Sequence, residues 1–175
     1  MAFLLLTAPL WAQAQAAVWI DVPFVPQPKD GCGAASISMI MEYWAHQQGV
    51  PPGADSDVAL IQRQLYSAKD HGIAASRMQQ YFKQHGFLAF PLNGSWSDLV
   101  QQLKKGRPLI AALKPEDQSE LHYVVIDGID PARAVITMND PAQRKLLTEE
   151  REAFEKDWSA THNWMLLAVP APSSR

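Results

Sequence analysis

Few residues of this chain have the chemistry to attack a carbonyl carbon, and Cys32 is first among them. It is the single cysteine in 175 residues. Downstream of it Ile37, Ile40, Met41 and Trp44 recur at the spacing of one buried helical face, so Cys32 stands at the opening of a helix. A thiol on a first helical turn meets unpaired backbone N–H groups and the positive end of the helix dipole, and both favour thiolate over thiol. Gly31 and Gly33 flank it, which leaves room for a substrate carbonyl to reach the sulfur. Gln27, in a loop stiffened by Pro26 and Pro28, is a carboxamide donor that together with the Cys32 N–H suits an oxyanion hole.

Such a nucleophile needs a base, and the histidines are His46, His71, His85, His122 and His162. His46 and His85 fall near helix ends, His71 in a turn and His162 in a polar segment, whereas His122 begins an apolar strand. The runs Ile126–Ile129 and Ala134–Thr137 are separated by Asp130-Pro-Ala-Arg133, which predicts a hairpin whose facing residue numbers sum to about 263. His122 then faces Pro141 or Asp140. Proline has no N–H for a ladder, which favours Asp140 as the carboxylate that accepts the Nδ1 proton and aims Nε2 at the cysteine. A further slip or a bulge puts Asn139 there instead, and an amide can also orient an imidazole.

The elements that must hold these groups follow from the same patterns. A strand at Ala17–Val22 leads into the proline-rich loop and the Cys32 helix, which stops at Gly49. Further helices are predicted at Ser56–Leu65, Ser76–His85 and Ser97–Lys105. Short apolar runs at Pro108–Leu113, His122–Ile129, Ala134–Met138 and Trp164–Val169 read as strands of one sheet, with a helix around Thr148–Trp158 before the last. The fold class is α+β: a helical half carrying the cysteine, then an antiparallel sheet carrying histidine and aspartate.

Composition narrows the partners. With fifteen Lys plus Arg against eighteen Asp plus Glu, a net charge of -3 and no basic run, nothing here tracks a phosphate backbone, and nucleic acid is not an expected partner. The histidines lack metal-ligand spacing and the cysteine lacks a partner, so no metal or organic cofactor is expected. Residues 1–17 run from an uncharged apolar stretch into Ala12-Gln-Ala-Gln-Ala-Ala17, which reads as a signal peptide with cleavage after Ala14 or Ala16. Its apolar run of about ten residues is too short for a span of roughly twenty. The expectation is an exported monomer, released from the membrane after signal cleavage, with residues 18–175 as its one domain.

Taken jointly, Asp21-Val-Pro-Phe-Val-Pro-Gln27, Gly31-Cys-Gly-Ala-Ala-Ser-Ile-Ser-Met39, His122-Tyr-Val-Val-Ile-Asp-Gly-Ile-Asp130 and Asn139-Asp-Pro141 resemble the C39 and C39-like cysteine peptidases, a papain-fold group. The resemblance runs from about residue 18 to 170 and includes an aromatic helix, Phe154 to Trp158, ahead of the last strand. It implies peptide-bond hydrolysis of a peptide or protein substrate, with Cys32 as nucleophile, His122 as base, Asp140 as its orienting acid and Gln27 in the oxyanion hole. Acyl transfer through the same residues, and a catalytically idle peptide-binding domain, are the alternatives. The best-known members are fused to an export ATPase and cut leaders after a double glycine, and no transporter is found in this chain. The Asn163-Trp164 pair is expected to serve aromatic packing, and Lys114–Glu120 is the candidate for an acidic substrate rim, a solvated connector being its other reading.

Overall fold

A computed structural model describes residues 16–116 and 119–172. The predicted signal segment therefore lies outside the described residues except for Ala16 and Ala17, and two positions of the predicted rim loop, 117 and 118, do too. Among the described residues no helix is long and apolar enough to cross a membrane.

Helix α1 (Cys32–Gln47) is the axis of the fold. Every residue from Gly33 to Met41 is buried, so the helix is enclosed by protein on all sides instead of presenting one stripe to a core. Two of its polar side chains bond to other elements, Ser38 Oγ donating to the Ser56 carbonyl at 2.6 Å and Trp44 Nε1 to the Ala168 carbonyl at 2.9 Å. A 3-10 turn at Ala54–Ser56 and helices α2 (Val58–Leu65) and α3 (Ala75–Gln84) follow. Asp57 caps α2 by accepting from the Leu60 N–H. Ser95 and Asp98 form a reciprocal capping box on α4 (Trp96–Lys104).

The sheet has seven strands: β1 (Val18–Trp19), β2 (Phe87–Asn93), β3 (Leu109–Leu113), β4 (His122–Asp130), β5 (Val135–Asp140), β6 (Arg144–Glu150) and β7 (Trp164–Pro170). Their order is β2-β7-β3-β4-β5-β6, all neighbours antiparallel, and β1 pairs with β4 beyond the stretch that β3 occupies. Strand β4 is buried at seven consecutive positions, and α1 packs directly on it. Helix α5 (Arg151–Ser159) packs against β3, β5 and β6.

The architecture is the expected α+β arrangement, with three local corrections. Strands β2 and β6 form where no strand is predicted, because they are the outermost strands and most of their residues stay exposed or half exposed, which erases the apolar signal. The last helix starts at Arg151, since Thr148–Glu150 complete β6. The first strand shrinks to two residues, after which the chain leaves the ladder for the loop that carries Gln27.

Candidate active site

Cys32 is the first residue of α1, partly buried, and behind it lies a helix terminus with no capping side chain and no acidic residue in its first turn. The N–H groups of that turn are therefore left to whatever binds there. The turn before it is tight: the Gly31 N–H donates to the Pro28 carbonyl at 2.9 Å, and Asp30 adopts a left-handed φ of 54°. A β-carbon on Gly31 would come within 2.5 Å of the Pro28 ring. One on Gly33 would meet Ile73 at 3.1 Å. Both glycines thus also answer to close packing, against Pro28 and Ile73.

His122 opens β4 opposite Leu113 of β3, and its imidazole is held between two partners. Nε2 lies 2.8 Å from Asp140 Oδ1, and the Cys32 side chain is a near enough neighbour of the ring to favour its charged form. With Nε2 committed to the carboxylate, Nδ1 is the nitrogen left for sulfur. Nε2, not the expected Nδ1, is therefore the nitrogen on the carboxylate.

The register also differs from the predicted one. Asp130 pairs with Val135, with Ala134 in the left-handed region closing the turn and Asp130 Oδ1 accepting from the N–H groups of Ala132 and Arg133. A bulge at Asp127 then adds a residue to β4, so that Val125 faces Asn139. Continued by one step, this register sets Asp140 level with Val124, and the carboxylate reaches His122 along the diagonal on the same face of the sheet.

Asp140 is almost fully buried and accepts three donors: His122, the Ala142 N–H at 2.8 Å and Gln143 Nε2 at 2.7 Å. Burial alone would raise its pKa, but these bonds outweigh it and hold the carboxyl below its ordinary range. For His122 burial opposes the charge, while the hydrogen bonds to Asp140 and Cys32 favour it and lift its pKa to about 9. An imidazolium beside sulfur is the state this geometry supports near neutral pH.

Gln27 is tied to the same place by its backbone, whose N–H donates to the Pro141 carbonyl at 3.0 Å. Its Oε1 is buried without a hydrogen-bond partner. The structure thus joins His122 to Asp140 directly, brings Cys32 near the imidazole and anchors the Gln27 loop one residue from Asp140. Asn139 is not among the groups on the imidazole; its carboxamide points toward the N-terminal segment and β6. Trp164 stacks edge-on against Tyr123 at 5.7 Å, the packing role expected of it. The described part of the rim loop leans on α5, through Lys114 N–H to the Asp157 carbonyl and a Lys156–Glu116 ion pair at 3.0 Å.

Two supporting residues escaped the sequence reading. Gln143 completes the shell of Asp140, and the turn Asp140-Pro-Ala-Gln143, with proline at its second position and an aspartate accepting two residues on, carries a local signal for it. Gln62 of α2 donates to the carbonyls of Lys29 and Asp30 at 3.3 and 3.5 Å, bracing the turn before Cys32. Nothing local announces that contact, which spans more than thirty residues.

A family model, the Peptidase_C39 like family, matches residues 19–165. The chain belongs to that family. Membership supports a peptidase-type function. Among solved structures, the chain is similar to a protein described as a C39-like peptidase from Bacillus anthracis, at 19% identity and a TM-score of 0.69, covering 91% of this chain and 100% of that one. It is similar also to a double glycine motif protease from an AMS/PCAT transporter in complex with its leader peptide, at 22% identity and a TM-score of 0.65 over 88% and 95% of the two chains. A third is the peptidase domain of Streptococcus ComA, at 19% identity and a TM-score of 0.65 over 84% and 97%. These likenesses establish the papain-like C39 fold. A search of curated proteins returns no match.

Proposed function

We propose that the protein is a cysteine peptidase in which Cys32, His122 and Asp140 act in series and Gln27 helps to hold the oxyanion. The observation that carries this reading is the single imidazole held at 2.8 Å by a carboxylate with two further donors, with the Cys32 side chain as its other neighbour. In the forward step Cys32 Sγ attacks the scissile carbonyl carbon. Negative charge moves to the carbonyl oxygen, toward the free N–H groups of the first turn of α1 and the Gln27 carboxamide. The C–N bond breaks as His122 gives its proton to the leaving amine, which leaves a thioester on Cys32. Water then attacks the thioester while His122 takes a proton from it, and the S–C bond breaks to release the acid and restore the pair. Asp140 keeps the imidazole in one orientation throughout and steadies its charge.

The leader peptide bound by the double glycine protease of similar fold supports a peptide substrate for this chain. Its uncharged, alanine-rich N-terminal stretch supports export, with residues 1–17 removed or nearly so. A peptide-library digest with wild type and Cys32→Ala side by side tests the activity. Cleavage by wild type that is lost in the variant is expected; amine-dependent transfer products without hydrolysis, or binding without turnover, would replace the peptidase reading. Mass spectrometry of protein recovered outside the cytoplasm should show a new N-terminus at Gln15 or Ala17, and intact Met1 on a cytosolic chain would remove the export reading.

A further inference from the structure

Asn139 is fully buried and uses both ends of its carboxamide, one toward the neighbouring strand β6 and the other toward the N-terminal segment more than a hundred residues away. Its Nδ2 donates to the carbonyls of Val22 and Pro23 at 3.2 and 3.4 Å, and its Oδ1 accepts from the Leu146 N–H at 3.1 Å, where Leu146 turns left-handed at φ 56°. Pro23 cannot return a backbone N–H, and the chain from Val22 to Gln27 crosses two prolines, Pro23 and Pro26. That stretch has left the β1 ladder and has few backbone bonds of its own. Its second tie is the Gln27 N–H to the Pro141 carbonyl.

The consecutive residues Asn139, Asp140 and Pro141 therefore do three different things. The first holds the start of the Gln27 loop, the third holds its end, and the carboxylate between them orients His122. We propose that Asn139 is a positioning residue, which fixes the Gln27 side of the oxyanion site against the His122–Asp140 pair without touching Cys32 or His122 itself. The inference rests on the cysteine-nucleophile reading above and adds to it a residue whose loss should impair stabilisation of the oxyanion while sparing the nucleophile.

Two probes of Cys32 separate these effects. Alkylation by iodoacetamide displaces iodide at a saturated carbon and forms no oxyanion, so it reads the sulfur–imidazole pair alone. Acylation by p-nitrophenyl acetate, followed as the release of p-nitrophenolate, passes through a tetrahedral oxyanion and reads both. For Asn139→Ala the expected result is acylation slowed on the order of 10-fold to 100-fold, a fraction of the loss of a whole donor, with alkylation kept within about threefold of wild type and the same pH midpoint. Asn139→Leu keeps the volume and adds no charge but loses the donation to Val22 and Pro23, so it should reproduce the split if the alanine variant fails to fold.

Equal losses in both reactions, or none in either, in a folded variant would overturn the positioning role. If wild-type Cys32 is neither selectively alkylated nor acylated, it is the cysteine-nucleophile reading that fails, and the two failures are distinguished by the behaviour of the unmutated protein.

Discussion

Two buried aspartates on neighbouring strands show how differently one fold can treat the same side chain. Asp140, at the end of β5, receives three hydrogen bonds and is held as a carboxylate below its ordinary range. Asp127, at the bulge of β4, has no exposed surface and no hydrogen-bond partner on either oxygen. Burial pushes its pKa up to about 7 and Asp21 adds to the rise, against the pull of Lys145. One end of the β4–β5 hairpin is thus built to keep a charge and the other to suppress one. Burial does not decide the ionisation state of an acid; the donors supplied to it do.

The largest expected effect falls at the end that keeps its charge. Asp140→Asn should lower turnover of any cleaved peptide by on the order of 10²–10⁴, because the imidazole loses both orientation and a stabilising charge. Asp127→Asn should leave turnover essentially unchanged. Comparable losses in the two variants would erase the distinction between the two acids.

Stability should divide them in the opposite sense. A carboxyl whose folded pKa lies above its unfolded value contributes stability below the unfolded pKa and loses it as pH rises through the folded one. For Asp127 that window runs from 3.8 to about 7. The advantage of Asp127→Asn over wild type in unfolding free energy should therefore grow between pH 4 and pH 8, by on the order of 4 kcal/mol. Denaturant titrations at the two pH values measure it, and a flat difference would mean that Asp127 is not a suppressed charge. Asp140 has the reverse sign, since its contribution is present above the unfolded pKa and is lost as pH falls through its lowered folded value.

His122 supplies a third window. Its stabilising share is complete below 6.5 and disappears as pH rises through about 9, and the alkaline limb of activity should fall with the same midpoint. In Asp140→Asn that limb should move to lower pH. A limb that stays at the wild-type position would show that the carboxylate does not set the charge on the imidazole.

The smallest effect belongs to the surface. Lys145 and Asp21 form an exposed ion pair at 2.7 Å. Lys145→Met should change stability at neutral pH by less than about 1 kcal/mol. It should nonetheless raise the midpoint of the Asp127 transition, since Lys145 is the one neighbour named above that favours its charge. A downward move would place another cation in control of the bulge.

Much of this was legible in the residues. The spacing of Ile37, Ile40 and Met41 announces α1, and it is local: each turn of the helix is specified by neighbours three and four positions away. The central strands β3, β4 and β7 read clearly because burial on both faces demands unbroken apolar runs. The outer strands did not. Strand β2 exposes Leu88, Phe90 and Leu92 and carries Pro91, a residue confined to strands with a free edge, while β6 (Arg144-Lys-Leu-Leu-Thr-Glu-Glu150) has no buried position and no apolar alternation to mark it.

Cys32, His122, Asp140 and Gln27 could be singled out because their residue types and their places at the ends of elements are properties of the sequence. How they meet could not. A bulge at Asp127 and a left-handed Ala134 together moved the hairpin register, placed Asp140 on the diagonal from His122 and set Nε2 instead of Nδ1 on the carboxylate. The charge states of Asp127 and Asp140, and the turning of Asn139 toward Val22 and Pro23, were decided only by the packed molecule. Helix and strand formation depends on contacts between near neighbours, which a sequence lays out in order. Register, tautomer and ionisation depend on the donors that distant segments bring within about 3 Å, which exist only once the chain has closed on itself.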